Sequence, residues 1–227
     1  MHSAATLRQY YESLLAAYGP RQWWPAQTPF EVMVGAVLVQ STAWQSVELS
    51  VANLMAANAL TPAALLALTD AELSALIRPS GFMRRKVSTL KALCSWLVER
   101  YSADLSLAAK QHTSTLRTEL LNIPGIGPET ADAVLLYALG HPVLVVDEYM
   151  RRIVTRHGLA PAAASYAQLQ QLGEAAFESD SGHTQHLNEF HALIVEVGKH
   201  HCRRTPICSG CPLLVYLPQR VTTNPVQ

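Results

Sequence analysis

Asp147 is the first residue with obvious chemical potential, because it separates the apolar run Val143 to Val146 from a stretch with helical periodicity. A carboxylate at such a position is typical of a helix N-cap. Held beside apolar walls at a helix N-terminus, it is also expected to stay ionised and to stabilise a cationic sugar, since the helix dipole opposes the burial penalty. The position alone therefore predicts a helix cap, and a catalytic role for Asp147 is compatible with it.

Two closely spaced glycines, Gly125 and Gly127, lie in the segment I-P-G-I-G-P. Glycine permits positive φ and has no side chain, so the backbone N–H groups of such a turn can sit directly against a phosphate. Pro128 is a favoured first residue of the next helix. The segment predicts a helical hairpin in which Gly125, Ile126 and Gly127 hold a DNA backbone; an ordinary hairpin of a helical bundle is the alternative.

The four cysteines of the chain lie in two different sequence contexts. Cys94 lies in an apolar helical pattern and is predicted to be a core residue. Cys202, Cys208 and Cys211 crowd the end of the sequence, which favours metal ligation over secreted disulfides.

The elements that must position these residues are helical. Apolar residues recur at helical spacing, Thr61 precedes Pro62 as a helix start, and Thr69 with Glu72 forms a capping-box pattern. The fold class is therefore predicted to be all-α. The formal net charge is zero, so a nucleic-acid partner would need a local basic face. The apolar runs are short and no leader pattern begins the chain, so we expect a cytoplasmic protein without membrane attachment.

Taken together, the motifs resemble the helix-hairpin-helix DNA glycosylases of the endonuclease III superfamily. Their signature is a hairpin of the form L-P-G-V-G followed by an essential aspartate in a V-D motif, matched by Ile123 to Gly127 and by Val146 with Asp147. The stretches "FEVMVGAVLVQSTAW" and "RPSGFMRRK" extend the likeness. The resemblance implies a monomer that binds double-stranded DNA containing a damaged base. It also implies a six-helix lobe over residues 28–135, ending in the hairpin, and a second helical lobe from residues 1–27 and 136–227.

The reaction type follows from Glu129, because the bifunctional members of that family carry a lysine at this position. A carboxylate cannot form a Schiff base, and the sequence has no lysine between Lys110 and Lys199. We therefore expect a monofunctional glycosylase. Glu129, counted with the substrate pocket, is equally explained as an acidic residue in a first helical turn. The segment "GPETAD" is similar to the endonuclease III-related or type III 3-methyladenine glycosylases.

The substrate prediction rests on aromatic residues in "RQWWPAQTPFE". By the resemblance, Trp23, Trp24, Pro25 and Trp44 line the base pocket. Aromatic walls stack on a flipped base, and an electron-rich indole attracts a purine made cationic by methylation at N3. Large aromatic residues that simply fill the core are the alternative.

Other DNA contacts are predicted from resemblance and charge. Gln40 matches the glutamine that endonuclease III relatives insert into the gap left by the flipped nucleotide, with a polar helix cap as the alternative. Arg151 and Arg203 are predicted to contact DNA. The remaining cations considered with them are Arg84, Arg85, Lys86, Arg152, Arg156 and Arg204.

The tail "KHHCRRTPICSGCPLLVYLPQ" resembles the iron–sulfur loop of endonuclease III, which uses four cysteines. Here Leu217 stands near the position of the fourth. Three outcomes stay open: a [4Fe–4S] cluster with an unusual fourth ligand, a zinc site completed by His200 or His201, or a loop without metal. No organic cofactor is expected.

The function that these residues indicate is monofunctional removal of alkylated purines, such as 3-methyladenine, from DNA in base excision repair. Two other functions fit parts of the pattern. One is an oxidised-pyrimidine glycosylase with lyase activity at abasic sites, and the other is a DNA-structure-binding protein without catalysis.

Overall fold

The computed structural model describes residues 2–178 and 181–218. Every regular element within these residues is helical, which confirms the all-α prediction. The α-helices are α1 (His2–Tyr18), α2 (Pro29–Leu38), α3 (Trp44–Ala56), α4 (Pro62–Ala67), α5 (Asp70–Leu76), α6 (Met83–Tyr101), α7 (Leu105–Ala108), α8 (Thr113–Leu121), α9 (Pro128–Ala133), α10 (Glu148–Arg156), α11 (Tyr166–Glu174) and α12 (His183–His200). Short 3₁₀ turns cover Arg78–Ser80 and Leu214–Tyr216, and a π-helical turn, Val134–Ala138, directly continues α9.

The chain divides into two compact units. The first, here called the hairpin unit, runs from Trp24 to His141 and contains α2 to α9. The second, the terminal unit, combines the residues up to Trp23 with those from Pro142 onward and contains α1 and α10 to α12. The sequence prediction placed the boundaries of this unit at 27/28 and 135/136, whereas the compact units divide at 23/24 and 141/142. It also predicted six helices in the hairpin unit, whose described residues form eight α-helical segments, several of them short. Within the described residues, no helix is both long and apolar enough to cross a membrane.

The helix starts predicted from sequence are present. Thr61 caps α4 ahead of Pro62. At α5 the Thr69 backbone N–H donates to the Glu72 carboxylate (2.8 Å), and the Glu72 N–H donates to Thr69 Oγ1 (3.2 Å). This reciprocal pair satisfies two of the backbone donors that a helix N-terminus leaves open.

The core of the hairpin unit forms around α2, whose residues from Val32 to Leu38 are all buried. This helix packs against α3, α6 and the π-helical turn, so almost every side of it faces protein. Cys94 of α6 is fully buried, as its apolar pattern predicts.

The core of the terminal unit forms where α12 packs on α1 and α10. Glycine allows the closest of these contacts, because a Cβ added to Gly198 would lie 2.3 Å from the ring of Tyr149 on α10. An aromatic cluster of Tyr11, Phe177 and Phe190 fills the space beside α1.

Candidate functional site

The helices α8 and α9 form the hairpin that the sequence predicts, and an ion pair between a buried carboxylate and a partly exposed guanidinium joins them. Asp132 is 0% exposed, and its carboxylate accepts from Nε (2.7 Å) and Nη2 (3.1 Å) of Arg117. In the turn, Ile126 and Ile123 are buried, and the Ile126 N–H donates to the Ile123 carbonyl (3.0 Å). Bidentate pairing and apolar anchoring fix the shape of the turn.

The two glycines of the turn are required for different reasons. Gly125 has φ +91°, and a Cβ there would lie 2.0 Å from Thr89 Oγ1, which donates to the Pro124 carbonyl. Gly127 has φ −99°, and a Cβ there would meet no atom of the described chain within 4 Å. Packing inside the fold therefore requires a glycine at position 125, whereas the space next to Gly127 is open to a molecule from outside.

Glu129 is an exposed residue of the first turn of α9, where a carboxylate complements the helix dipole. Gln40 is half-buried, and its Nε2 donates to the Gly125 carbonyl (3.0 Å) and to Thr130 Oγ1 (2.9 Å). Gln40, which is predicted to enter the DNA, is thus hydrogen-bonded to residues on both sides of the glycine turn.

Asp147 is the N-cap of α10, with extended backbone (φ −91°, ψ 180°). Its Oδ1 accepts from the Met150 N–H at 2.7 Å. The side chain is 12% exposed, and the four preceding residues, Val143 to Val146, are buried. Asp147 therefore does cap the helix, as its position predicts. Its chemical role stays a prediction, because one oxygen caps the helix and the other, Oδ2, is directed towards His191.

His191 of α12 is the residue that sequence reasoning missed near Asp147. Its Nε2 lies 3.9 Å from Asp147 Oδ2, which is longer than a hydrogen bond. Burial lowers the pKa of His191 to about 4, with a smaller effect from Lys199. The imidazole is consequently neutral at pH 7, so it does not cancel the charge of a carboxylate beside it.

Two of the predicted pocket tryptophans meet in the hairpin unit. The ring of Trp24 lies edge-on to Trp44 (centroids 5.2 Å apart) and to Tyr137 (5.4 Å). All three rings are half-buried. Gly35 makes this possible, because a Cβ there would lie 3.1 Å from the Trp24 ring. Tyr137, on the π-helical turn, is a member of this aromatic cluster that the sequence motifs did not indicate.

Trp23 and Pro25 are placed differently. Trp23 belongs to the terminal unit, where Lys199 Nζ lies 5.8 Å from its ring centroid. Pro25 is exposed. The loop before them is held by the buried carboxylate of Glu189, which accepts the backbone N–H groups of Arg21 and Gln22. No sequence signal indicates Glu189, because its partners are backbone groups far along the chain.

The arginines predicted to contact DNA make contacts within the terminal unit. Arg151 is half-buried and donates to the Ala164 carbonyl (2.6 Å). Arg203 is exposed, and its Nε donates to the Lys199 carbonyl (2.7 Å). Their use as DNA contacts stays a prediction.

Lys86 is a correction to the basic surface expected from sequence. It is 2% exposed, and its ammonium donates to the Leu38 carbonyl, Thr42 Oγ1 and the Ser80 carbonyl, each at 2.7 Å. Burial lowers its pKa to about 8. The expectation of a phosphate contact is wrong for this residue, because three oxygens inside the fold take up its donors. Its neighbours Arg84 and Arg85 are exposed.

The three C-terminal cysteines line one cavity of about 270 Å³. Cys202 Sγ accepts from Arg156 Nη1 at 3.2 Å. Burial raises the pKa of the Cys211 thiol, and the Leu214 N–H donates to the Cys211 carbonyl oxygen (3.0 Å). Apart from the cysteines and Arg156, the wall is mainly apolar, and its members are Ile153, His157, Val197, His201, Pro206, Leu213, Leu214 and Leu217.

This cavity was compared with the requirements of the two metal groups that the sequence leaves open. Nowhere in residues 2–178 and 181–218 do three or more His, Cys, Asp or Glu side chains converge to hold one ion, as a zinc site requires. The ligands of a four-iron cluster bind different irons and therefore surround a cavity. Three thiols around a cavity fit three of the four ligand positions of such a cluster, and Leu217 lines the same wall.

With this geometry established, comparison with known proteins gives consistent matches. Residues 34–179 match the family model described as HhH-GPD superfamily base excision DNA repair protein. The chain is 40% identical over 204 residues to "Putative DNA repair glycosylase MJ1434" of Methanocaldococcus jannaschii, with 89% of this chain and 91% of that protein covered.

Two solved structures are similar over most of the chain. The first is the H. pylori 3-methyladenine DNA glycosylase (MagIII) bound to 1,N6-ethenoadenine, with a TM-score of 0.76 and 27% identity, covering 87% of this chain and 97% of that one. The second is an endonuclease III trapped as a covalent intermediate with DNA, with a TM-score of 0.77 and 23% identity, covering 94% of each chain. The second likeness concerns the fold.

Proposed function

Because the chain belongs to the HhH-GPD superfamily of base excision DNA repair proteins and is a DNA N-glycosylase, we propose that it is a monofunctional enzyme that removes alkylated purines, with 3-methyladenine as the leading substrate, from double-stranded DNA.

The observation that carries this substrate class is the aromatic cluster of Trp24, Trp44 and Tyr137. A purine methylated at N3 is cationic, so the face of an indole attracts it more strongly than an unmodified base. The positive charge also makes the base a good leaving group, and a pocket without a strong general acid is then sufficient. Similarity to the H. pylori enzyme, which is named a 3-methyladenine DNA glycosylase, supports the same class.

Asp147 carries the chemistry in this proposal. Loss of the base leaves an oxocarbenium-like sugar, which a fixed carboxylate stabilises electrostatically while it orients or activates the attacking water. One carboxylate oxygen is fixed by the Met150 N–H. Burial lowers the pKa of His191 to about 4, so the imidazole beside Asp147 is neutral at pH 7 and adds no positive charge that would repel the developing cation.

The hairpin supplies the grip on the DNA backbone. The open space over Gly127 allows a phosphate to approach the turn, whose own shape is fixed by Gly125 and by the Arg117–Asp132 pair. Gln40 must exchange its hydrogen bonds to Gly125 and Thr130 for contacts in the duplex when it fills the gap left by the extruded base.

Monofunctional action is the consequence of Glu129. A lyase of this family needs an amine that forms a Schiff base with the abasic sugar, and a carboxylate replaces that amine here. Strand cleavage should therefore not accompany base release.

The test is to incubate the purified protein with methylated duplex DNA and to identify the released bases by mass spectrometry. Release of 3-methyladenine with intact strands before alkaline treatment supports the proposal. The Asp147→Asn variant, purified in the same way, controls for contaminating enzymes.

Parallel reactions distinguish the two other functions. Release of an oxidised pyrimidine together with borohydride trapping on abasic DNA would identify a glycosylase with lyase activity. Binding to abasic or kinked duplexes without release of any base would identify a DNA-structure-binding protein.

A further inference from the structure

The segment that carries Asp147 is extended, although it is buried within the helical terminal unit. Val143 to Val146 are all buried, and every regular element of residues 2–178 and 181–218 is helical. The backbone groups of this segment therefore have no strand among those residues to pair with, yet buried N–H and C=O groups need hydrogen-bond partners. Those partners determine where the segment, and Asp147 after it, is placed.

Side chains of α11 provide these partners. The Leu144 N–H donates to Glu174 Oε1 (2.9 Å), and Gln170 Nε2 donates to the Leu144 carbonyl (2.8 Å). The Val146 N–H donates to the Tyr166 hydroxyl (3.2 Å). Three backbone groups of the extended segment are thus bound by one helix. The three side chains that bind them, Tyr166, Gln170 and Glu174, are here called the α11 ladder.

The register of these contacts follows from the geometry of the two chain segments. The ladder residues are spaced by four along α11, so they lie on one face of the helix. Four residues of α-helix advance about 6 Å, and two residues of extended chain advance about 6.7 Å. Backbone N–H groups two residues apart in an extended chain also point to the same side. The face of a helix can therefore replace a neighbouring strand along this segment.

Close packing holds α11 against the same part of the chain. A Cβ added to Gly173 would overlap the Leu144 side chain, and it would lie 3.4 Å from the methyl group of Met150. Met150 is also the residue whose N–H donates to Asp147 Oδ1 (2.7 Å). The helix therefore lies close to the chain on both sides of the aspartate.

We propose that the α11 ladder positions Asp147 for catalysis, an inference that rests on the proposed role of this carboxylate in base release. Asp147 directly follows Val146, so the position of its Oδ2 depends on how the extended segment is held. The ladder residues are positioning residues, because they act through the backbone and not on the substrate. A displacement of about 1 Å at a reacting group can cost roughly 100-fold in rate. Loss of a ladder hydrogen bond should therefore slow base release more than it weakens DNA binding.

The first test removes ladder hydrogen bonds one at a time. Tyr166→Phe and Gln170→Ala should each lower the single-turnover rate of 3-methyladenine release by roughly 10-fold, while the Kd for the same duplex changes by less than about two-fold. Gln171→Ala, a change at the exposed neighbouring position, is the matched control and should keep the wild-type rate. Melting curves show whether each variant is folded. Wild-type rates in both ladder variants would overturn the proposal.

The second test combines Gln170→Ala with Asp147→Asn. A residue that acts only through the carboxylate has no further effect once that carboxylate is gone. The combined variant should therefore have the residual rate of Asp147→Asn alone. The same fold-loss from Gln170→Ala in both backgrounds would show that the ladder does not act through Asp147. Full activity of Asp147→Asn would instead refute the proposed role of the carboxylate.

Amide hydrogen exchange tests the placement of Asp147 without any substrate. In Tyr166→Phe, the Met150 N–H, whose acceptor is Asp147 Oδ1, should exchange about 10-fold faster, while the buried Leu193 amide of α12 keeps its rate. If the wild type releases no 3-methyladenine, this local change still supports the ladder and the proposed substrate alone fails. An unchanged exchange rate at Met150 would overturn the ladder even in an active enzyme.

Discussion

Asp132 in the hairpin and Asp147 at the start of α10 are both shielded from solvent, yet their surroundings are opposite. Asp132 is fully buried and accepts two hydrogen bonds from the guanidinium of Arg117, which is always charged. Asp147 accepts a backbone N–H and faces His191, whose pKa of about 4 keeps the ring neutral. One carboxylate is paired with a guanidinium, whereas the other lies beside a neutral ring.

The difference shows how the same residue type serves stability in one place and chemistry in another. A carboxylate paired with a guanidinium holds two helices together, and such a pair has little net charge with which to attract a substrate. A carboxylate placed on a helix N-terminus stays ionised because of the dipole and can stabilise a transient cation. This contrast predicts that mutations of the two aspartates have different consequences.

The largest effect is expected for Asp147→Asn. The amide keeps an oxygen that can cap α10 but removes the negative charge, so single-turnover base release should fall by roughly 100-fold or more, the scale of one electrostatic stabiliser. DNA affinity and melting temperature should change little. An Asn variant with full activity would leave Asp147 as a structural cap.

The next largest effect is expected for Arg117, which forms the ion pair with Asp132. Arg117→Ala leaves the buried Asp132 carboxylate without its guanidinium, which costs about 3–5 kcal/mol for a fully buried pair and about 2–3 kcal/mol here, because Arg117 is 30% exposed. Urea unfolding measures the loss. Arg117→Leu combined with Asp132→Leu should recover part of it. Equal stability of the Arg117→Ala variant and the wild type would show that the pair does not hold the hairpin.

The cluster of Trp24, Trp44 and Tyr137 tests which bases the enzyme prefers. Trp44→Ala should weaken discrimination for cationic methylpurines by roughly 1–3 kcal/mol, and Trp44→Phe by less, because any flat ring stacks but indole attracts cations best. The measurement is release of 3-methyladenine against that of hypoxanthine, a neutral base.

Trp96→Phe is the matched control for this prediction. Its indole N–H donates to Glu119 at 2.9 Å, as that of Trp44 donates to Glu48 at 2.9 Å. Equal losses for both bases in Trp44→Ala would remove the argument from charge. No loss in a folded variant would make Trp44 a packing residue.

The smallest effect, counted per pH unit, is a pH dependence of stability. Burial lowers the pKa of His191 from 6.5 to about 4, so between these values the unfolded chain binds a proton that the folded chain does not. Stability should therefore fall as the pH decreases through this window, by up to about 1.4 kcal/mol per pH unit from this residue.

His191→Gln should flatten the pH profile of the free energy of unfolding, whereas His200→Gln, an exposed change on the same helix, should not. If both variants keep the wild-type slope, His191 titrates normally in the folded protein.

The sequence by itself determined the features that depend on neighbouring residues. Helical periodicity gives the all-α class, the spacing of Thr69 and Glu72 gives a capping box, and the glycine pattern gives the turn between α8 and α9. Asp147 was identifiable as a cap for the same reason, since its partner is a backbone group three residues on. Short-range bonds of this kind follow from local chain geometry.

Only the tertiary structure decided which polar groups are buried and which groups accept their hydrogen bonds or balance their charge. Lys86 stands beside two exposed arginines, and nothing in that run shows that three oxygens from other segments surround its ammonium. The neutral ring of His191 beside Asp147 and the α11 side chains hydrogen-bonded to the segment before Asp147 likewise come from helix packing. Distant groups set the local dielectric and the hydrogen-bond partners, and these determine whether a side chain is charged, compensated or able to bind.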